Sequence, residues 1–213
     1  MVRYQRGVAL VIVDVQNDFA DPEGSLSVRG APDVVPAINR EAATALASGG
    51  FIVLTQDWHP QHTPHFAQDG GPWPVHCVAD SWGAELHPAL DVPPGTCIVR
   101  KGSNGEDGYS AFTMRDTATG AEVPTMLQPL LETAGVEEVV VVGLATDYCV
   151  KATALDSARL GYRTTVLTDA IAAVDVHDGD GARALEEMAA AGVTIDAGGD
   201  ARANEPINPG EVP

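Results

Sequence analysis

Glu138-Val139-Val140-Val141-Val142-Gly143-Leu144-Ala145-Thr146-Asp147-Tyr148-Cys149-Val150 is the stretch whose reading decides the fold. Its first half is an apolar, β-branched run of strand length, as in a strand covered on both faces. The segment that follows, 151–160, has a helical pattern closed by Gly161. Cys149 therefore lies where a buried strand turns into a helix. Backbone N–H groups and the positive end of the helix dipole collect at such a place. That setting favours a thiolate and suits an oxyanion. The plainer alternative is a small buried apolar residue.

The same strand-then-helix pattern repeats outward from this point. Apolar strands are predicted at 8–13, 51–55, 96–100, 138–142, 163–168 and 193–196. Helices are predicted at 33–48, 124–134, 151–160 and 178–191, several ended by glycine. Alternation of this kind predicts an α/β, three-layer sandwich: a six-stranded, mostly parallel sheet with helices on both faces. Two βαβ halves give the strand order 3-2-1-4-5-6. The whole of 1–196 reads as a single domain and 197–213 as a flexible tail.

Composition removes several classes of function. The 213 residues carry 30 acidic and 12 basic side chains, a net charge of −18, which repels phosphate backbones and predicts no nucleic-acid partner. No apolar run approaches the roughly 18 residues of a membrane span, and the N-terminal run reads as a strand, not a signal peptide. Three scattered cysteines, Cys77, Cys97 and Cys149, point to a reducing cytoplasm. A homo-oligomer is left open.

The strand order brings distant side chains together. Strand 1 ends at Asp14, strand 3 at Lys101, and strand 4 runs into Cys149. Ligands of open α/β sheets bind outside the carboxyl ends of the strands, at the point where the order reverses. A carboxylate can accept the proton of an attacking thiol, and an ammonium stabilises both anions. Taken singly, Asp14 also reads as a cap and Lys101 as a solvated charge.

The segment 56–91 is long, irregular and rich in histidine, proline and tryptophan. A loop of that length inside a compact domain is usually functional. Asp57, His59, His65 and His76 supply one carboxylate and three imidazoles, borderline ligands for one divalent metal ion such as zinc, iron or manganese. His62, His87 and Cys77 compete for the same role, and the spacing matches no compact zinc signature.

These residues resemble the nicotinamidase/pyrazinamidase group of the isochorismatase-like cysteine hydrolases. The likeness covers 8–196. It rests on Val13-Asp14-Val15-Gln16-Asn17-Asp18-Phe19, Asp57-Trp58-His59, Trp73-Pro74-Val75-His76-Cys77, Arg100-Lys101-Gly102, and the Gly143 to Val150 stretch. The resemblance implies Asp14 as general base, Lys101 as its charge partner and Cys149 as nucleophile. It implies Asp57, His59, His65 and His76 as metal ligands. Ala145 and Cys149 would supply an oxyanion hole from their backbone N–H groups, behind a cis Leu144–Ala145 peptide. Phe19, Trp73, Tyr109 and Ala145 would contact a pyridine carboxamide substrate. The implied reaction takes nicotinamide, and pyrazinamide with it, to the free acid and ammonia through a thioester. Two readings compete: a related hydrolase acting on another small amide or a vinyl ether, and a non-enzymatic metal- or ligand-binding protein.

Overall fold

The computed structural model describes residues 4–197. The proposed tail lies, apart from Ala197, outside the described residues. Six strands form one parallel sheet: β1 (Val8–Val13), β2 (Phe51–Asp57), β3 (Cys97–Lys101), β6 (Glu138–Leu144), β7 (Arg163–Ala172) and β8 (Thr194–Asp196). Their order is β3-β2-β1-β6-β7-β8, which is the predicted 3-2-1-4-5-6 once a small hairpin is numbered separately.

The side chains of β1 alternate between two cores. Val8, Leu10 and Ile12 pack under α1 (Asn17–Ala20) and α2 (Ala31–Ala47), against Val35 and Ile38 of α2. Ala9, Val11 and Val13 face the other way, toward α3 (Leu127–Thr133), α4 (Lys151–Arg159) and α5 (Asp180–Ala190), through Leu131, Ala154 and Met188. Each face of the sheet is thus covered, as the unbroken apolar strands require.

The structure departs from the sequence reading at four places. The segment 124–134 does not begin as helix: Pro124 ends β5 (Glu122–Pro124), which pairs antiparallel with β4 (Thr113–Arg115). Helix α3 starts only after Thr125, whose Oγ1 accepts the Leu127 N–H at 3.0 Å. β7 does not stop near Asp169 but continues to Ala172, because its register against β6 shifts between Val141 and Gly143. β2 continues through Asp57, so the carboxylate lies on the strand's last residue. The turn Thr146–Val150 is a π-helical turn ahead of α4, in which Tyr148 and Val150 both donate to the Ala145 carbonyl at 3.1 Å.

Gly143 marks the register shift. It pairs with Val13 across β1, has φ of 112°, and a Cβ placed on it would collide with the Val13 backbone. Only glycine allows that approach, which sets the distance between the end of β1 and the turn that carries Cys149. Gly143→Ala should therefore cost about 2–4 kcal/mol, near the top of the range for single substitutions. Urea denaturation of the variant checks this; a midpoint equal to the parent's would contradict it.

Candidate active site

Four strand ends meet at one point. Asp14 follows β1, Asp57 ends β2 directly across from Lys101 at the end of β3, and Ala145 follows β6. Asp14 adopts φ of 48°, an uncommon conformation for a residue with a side chain. Thr55 on the neighbouring strand holds it there: its hydroxyl accepts from the Asp14 N–H at 3.1 Å and donates to Oδ1 at 2.5 Å.

Lys101 occupies the centre and is 1% exposed. Its Nζ lies 2.7 Å from Asp14 Oδ2, 2.8 Å from Asp57 Oδ1 as an ion pair, 3.3 Å from the Tyr109 carbonyl and 3.5 Å from Cys149 Sγ. A buried ammonium requires this compensation. One cation is thus shared by two carboxylates and a thiol.

The shared cation does not act equally on its partners. Burial raises the Asp14 carboxyl above the ordinary value, against the pull of Lys101. Burial would raise Asp57 too, but Lys101 together with His59 and His76 outweighs it and leaves Asp57 at about 2. The two neighbouring carboxylates are thereby shifted in opposite directions. Cys149 differs from the sequence expectation. Burial pushes its thiol well up and the nearby Asp14 and Asp57 add to this, outweighing Lys101. Burial beside two carboxylates thus opposes the thiolate that a helix start suggests.

The imidazoles stand beside this set. His59, His65 and His76 are buried, and they offer ring nitrogens within 4.8 Å of one another. His65 Nδ1 bonds Asp107 Oδ1 and His76 Nδ1 bonds the Pro74 carbonyl, each at 2.7 Å, leaving Nε2 of both rings. His59 has both ring nitrogens buried without a hydrogen-bond partner. Burial lowers its pKa to about 4, although Asp57 pulls the other way, so the ring is neutral at neutral pH. Its Nδ1 faces Gly102, where a Cβ would come within 2.5 Å, and its Nε2 lies 3.9 Å from Asp57 Oδ2. Orphaned buried nitrogens beside a carboxylate are what a cation would satisfy, and three imidazoles converging with a carboxylate are donors suited to it. The donor set therefore fits a divalent ion.

The competing candidates lie elsewhere. His62 is exposed beside Asp69, and His87 lies near Asp21. Cys77 is buried in the α2-side core.

A narrow pocket opens between the two groups, lined by Phe19, Trp73, Tyr109, Ala145 and Cys149 together with His65 and His76. Trp73 Nε1 donates to the Tyr109 hydroxyl at 3.0 Å. The Leu144–Ala145 peptide at the pocket floor is cis.

Sequence reasoning missed several contributors. Tyr148 packs edge-on against both Trp73 and Tyr109. Phe66 backs His59 and His76 edge-on. Gln16 fixes Asp57 by donating to its carbonyl and accepting its N–H, both at 2.8 Å. Asp18 holds the loop after His76 by accepting the Cys77 N–H at 2.6 Å. Asp107, held at about 2 chiefly by its bond from His65, carries that ring. Gln16 and Asp18 lie beside Asp14 in a polar run directly after an apolar strand, which was the available signal.

The chain is similar to several known proteins. A nicotinamidase of Acinetobacter baylyi is 41% identical over 202 residues, spanning 87% of this chain and 90% of that protein. The solved structure of Pyrococcus horikoshii pyrazinamidase in complex with zinc is 37% identical, with a TM-score of 0.79, covering 89% of this chain and 98% of its own. An L. infantum protein solved in complex with nicotinate is also 37% identical, with a TM-score of 0.81 and coverage of 91% and 94%. The isochorismatase domain model matches residues 8–197, and the chain belongs to the isochorismatase family.

Proposed function

We propose that the protein is a metal-dependent cysteine amidohydrolase that converts nicotinamide, and pyrazinamide with it, to the free acid and ammonia. The observation that carries this reading is the adjacency of two sets, Asp14, Lys101 and Cys149 on one side and three buried imidazoles beside Asp57 on the other, with Cys149, Asp57, His65 and His76 lining one pocket. A binding protein has no use for a nucleophile joined to a proton acceptor. A family member acting on a vinyl ether leaves the unpartnered His59 nitrogens unexplained. The nicotinamidase of A. baylyi and the zinc and nicotinate complexes support the pyridine carboxamide as substrate.

The chain's own residues divide the chemistry. Phe19, Trp73 and Tyr109 hold a flat ring, with Tyr148 fixing the last two. Asp57, His59, His65 and His76 would hold a divalent ion, which when bound supplies a Lewis acid for the ring nitrogen and so orients the ring. Asp14 takes the proton from Cys149 as Sγ attacks the amide carbon. Lys101 stays charged throughout and compensates the negative charge that moves between Asp14 and sulfur. The N–H groups of Ala145 and Cys149 receive the developing oxyanion. Asp14 returns its proton to the amide nitrogen, the C–N bond breaks, and ammonia leaves with a thioester on Cys149. Asp14 then takes a proton from water, which attacks the thioester carbon; the acid departs and the proton returns to sulfur. A raised Asp14 carboxyl suits these repeated transfers.

All three cysteines are free, which supports a reducing, cytoplasmic setting. No helix among the described residues is long and apolar enough to cross a membrane. With a net charge of −18, the small-molecule substrate is the one partner proposed.

Ammonia release from nicotinamide tests the reading. Turnover should vanish on chelation and return when zinc, iron or manganese is restored. Turnover indifferent to metal would remove the role given to the imidazoles. Cys149→Ala should abolish turnover while the fold persists; residual hydrolysis at the parent rate would refute the nucleophile. Lys101→Met leaves two buried carboxylates without their cation, so it should lose about 3–5 kcal/mol of stability along with activity. Denaturation at neutral pH measures this, and an unchanged midpoint would show that the ion pairs contribute nothing.

A further inference from the structure

The hairpin β4–β5 has no part in the chemistry above, yet it reaches the imidazoles through Asp107 of the loop before it. Asp107 forms an antiparallel bridge with Arg115 on β4: its N–H donates to the Arg115 carbonyl at 2.8 Å, and the Arg115 N–H donates back at 2.6 Å. The side chains repeat the pairing. Arg115 Nη2 donates to Asp107 Oδ2 at 3.0 Å, while Asp107 Oδ1 meets His65 Nδ1 at 2.7 Å. Burial increases inward along this line, with side-chain exposures of 63% for Arg115, 26% for Asp107 and 4% for His65.

A carboxylate offers acceptors only, so His65 Nδ1 carries a proton, and in the neutral ring the lone pair is then on Nε2. One oxygen tied to Arg115 and both backbone groups bridged hold the carboxylate against the ring. We propose that Asp107, clamped by Arg115, is a positioning residue that fixes the tautomer and orientation of His65 for metal binding. The hairpin thereby sets the affinity of the site for its ion. This inference rests on the reading that the three imidazoles hold a divalent metal. Partners of this type raise ligand basicity, and their loss typically weakens metal binding about tenfold to a hundredfold.

The test is zinc affinity of the metal-stripped full chain, measured by competition with a chromophoric chelator and paired with thermal unfolding of the metal-free protein. Asp107→Ala should weaken zinc about tenfold to a hundredfold. Asp107→Asn keeps an acceptor for Nδ1–H and should retain most of the affinity. Arg115→Gln, an exposed substitution that leaves the backbone bridge, should weaken zinc severalfold, and it decides the matter if Asp107→Ala fails to fold. A merely structural Asp107 would lower the metal-free unfolding temperature and leave zinc affinity unchanged in folded Asp107→Ala; that result overturns this inference alone. A parent chain that takes up no zinc overturns the metal reading and this inference with it.

Discussion

The ammonium of Lys101 is the constraint on which the rest of the site depends. It is buried, and a buried cation is tolerated only when anions reach it from several directions. Those anions come from separate strands, so the sheet must deliver the ends of β1, β2 and β3 to one place with their registers fixed. The direct pairing of Asp57 with Lys101 across β2 and β3, and of Val13 with Gly143 across β1 and β6, performs this. The same ammonium joins both halves of the chemistry, since Asp14 and Cys149 belong to one and Asp57 to the other. A change at either carboxylate is felt at the other through one nitrogen.

Around this centre, buried polar side chains take over where regular structure ends. Thr55 holds Asp14, Gln16 holds the backbone of Asp57, Asp18 holds the loop behind His76, and Asp107 holds His65. Each ties a loop to the sheet or to another loop by short hydrogen bonds in a desolvated setting, where leaving one unmade is costly. The long segment 56–91 stays ordered for this reason: isolated bridges join His59 with Val78 and Phe66 with Trp73, and α1-side carboxylates and amides complete it.

The sheet and its order were legible in the sequence because strands covered on both faces are written as unbroken apolar runs, and glycines close the helices between them. From that order alone, Asp14, Lys101 and the Cys149 turn converge. What could not be read were features set by tertiary contact. The hairpin β4–β5 is short and has no apolar alternation, so 124–126 resembled a helix start. The π-helical turn depends on the carbonyl of Ala145 accepting two N–H groups. The choice of His59, His65 and His76 over His62 and His87 follows from burial, which spacing does not reveal. The upward shift of the Cys149 thiol likewise follows from burial beside carboxylates, whereas the helix start by itself argues for a thiolate.

The most direct measurement of the central claim is a crystal structure of Cys149→Ala loaded with zinc and nicotinamide. One ion is expected among His59, His65, His76 and Asp57, with the ring nitrogen directed at it. The ring should lie along Phe19 and Trp73, with the carboxamide carbon beside residue 149 and its oxygen toward the Ala145 N–H. A ring bound with its nitrogen away from the imidazoles, or an ion held elsewhere, would contradict it.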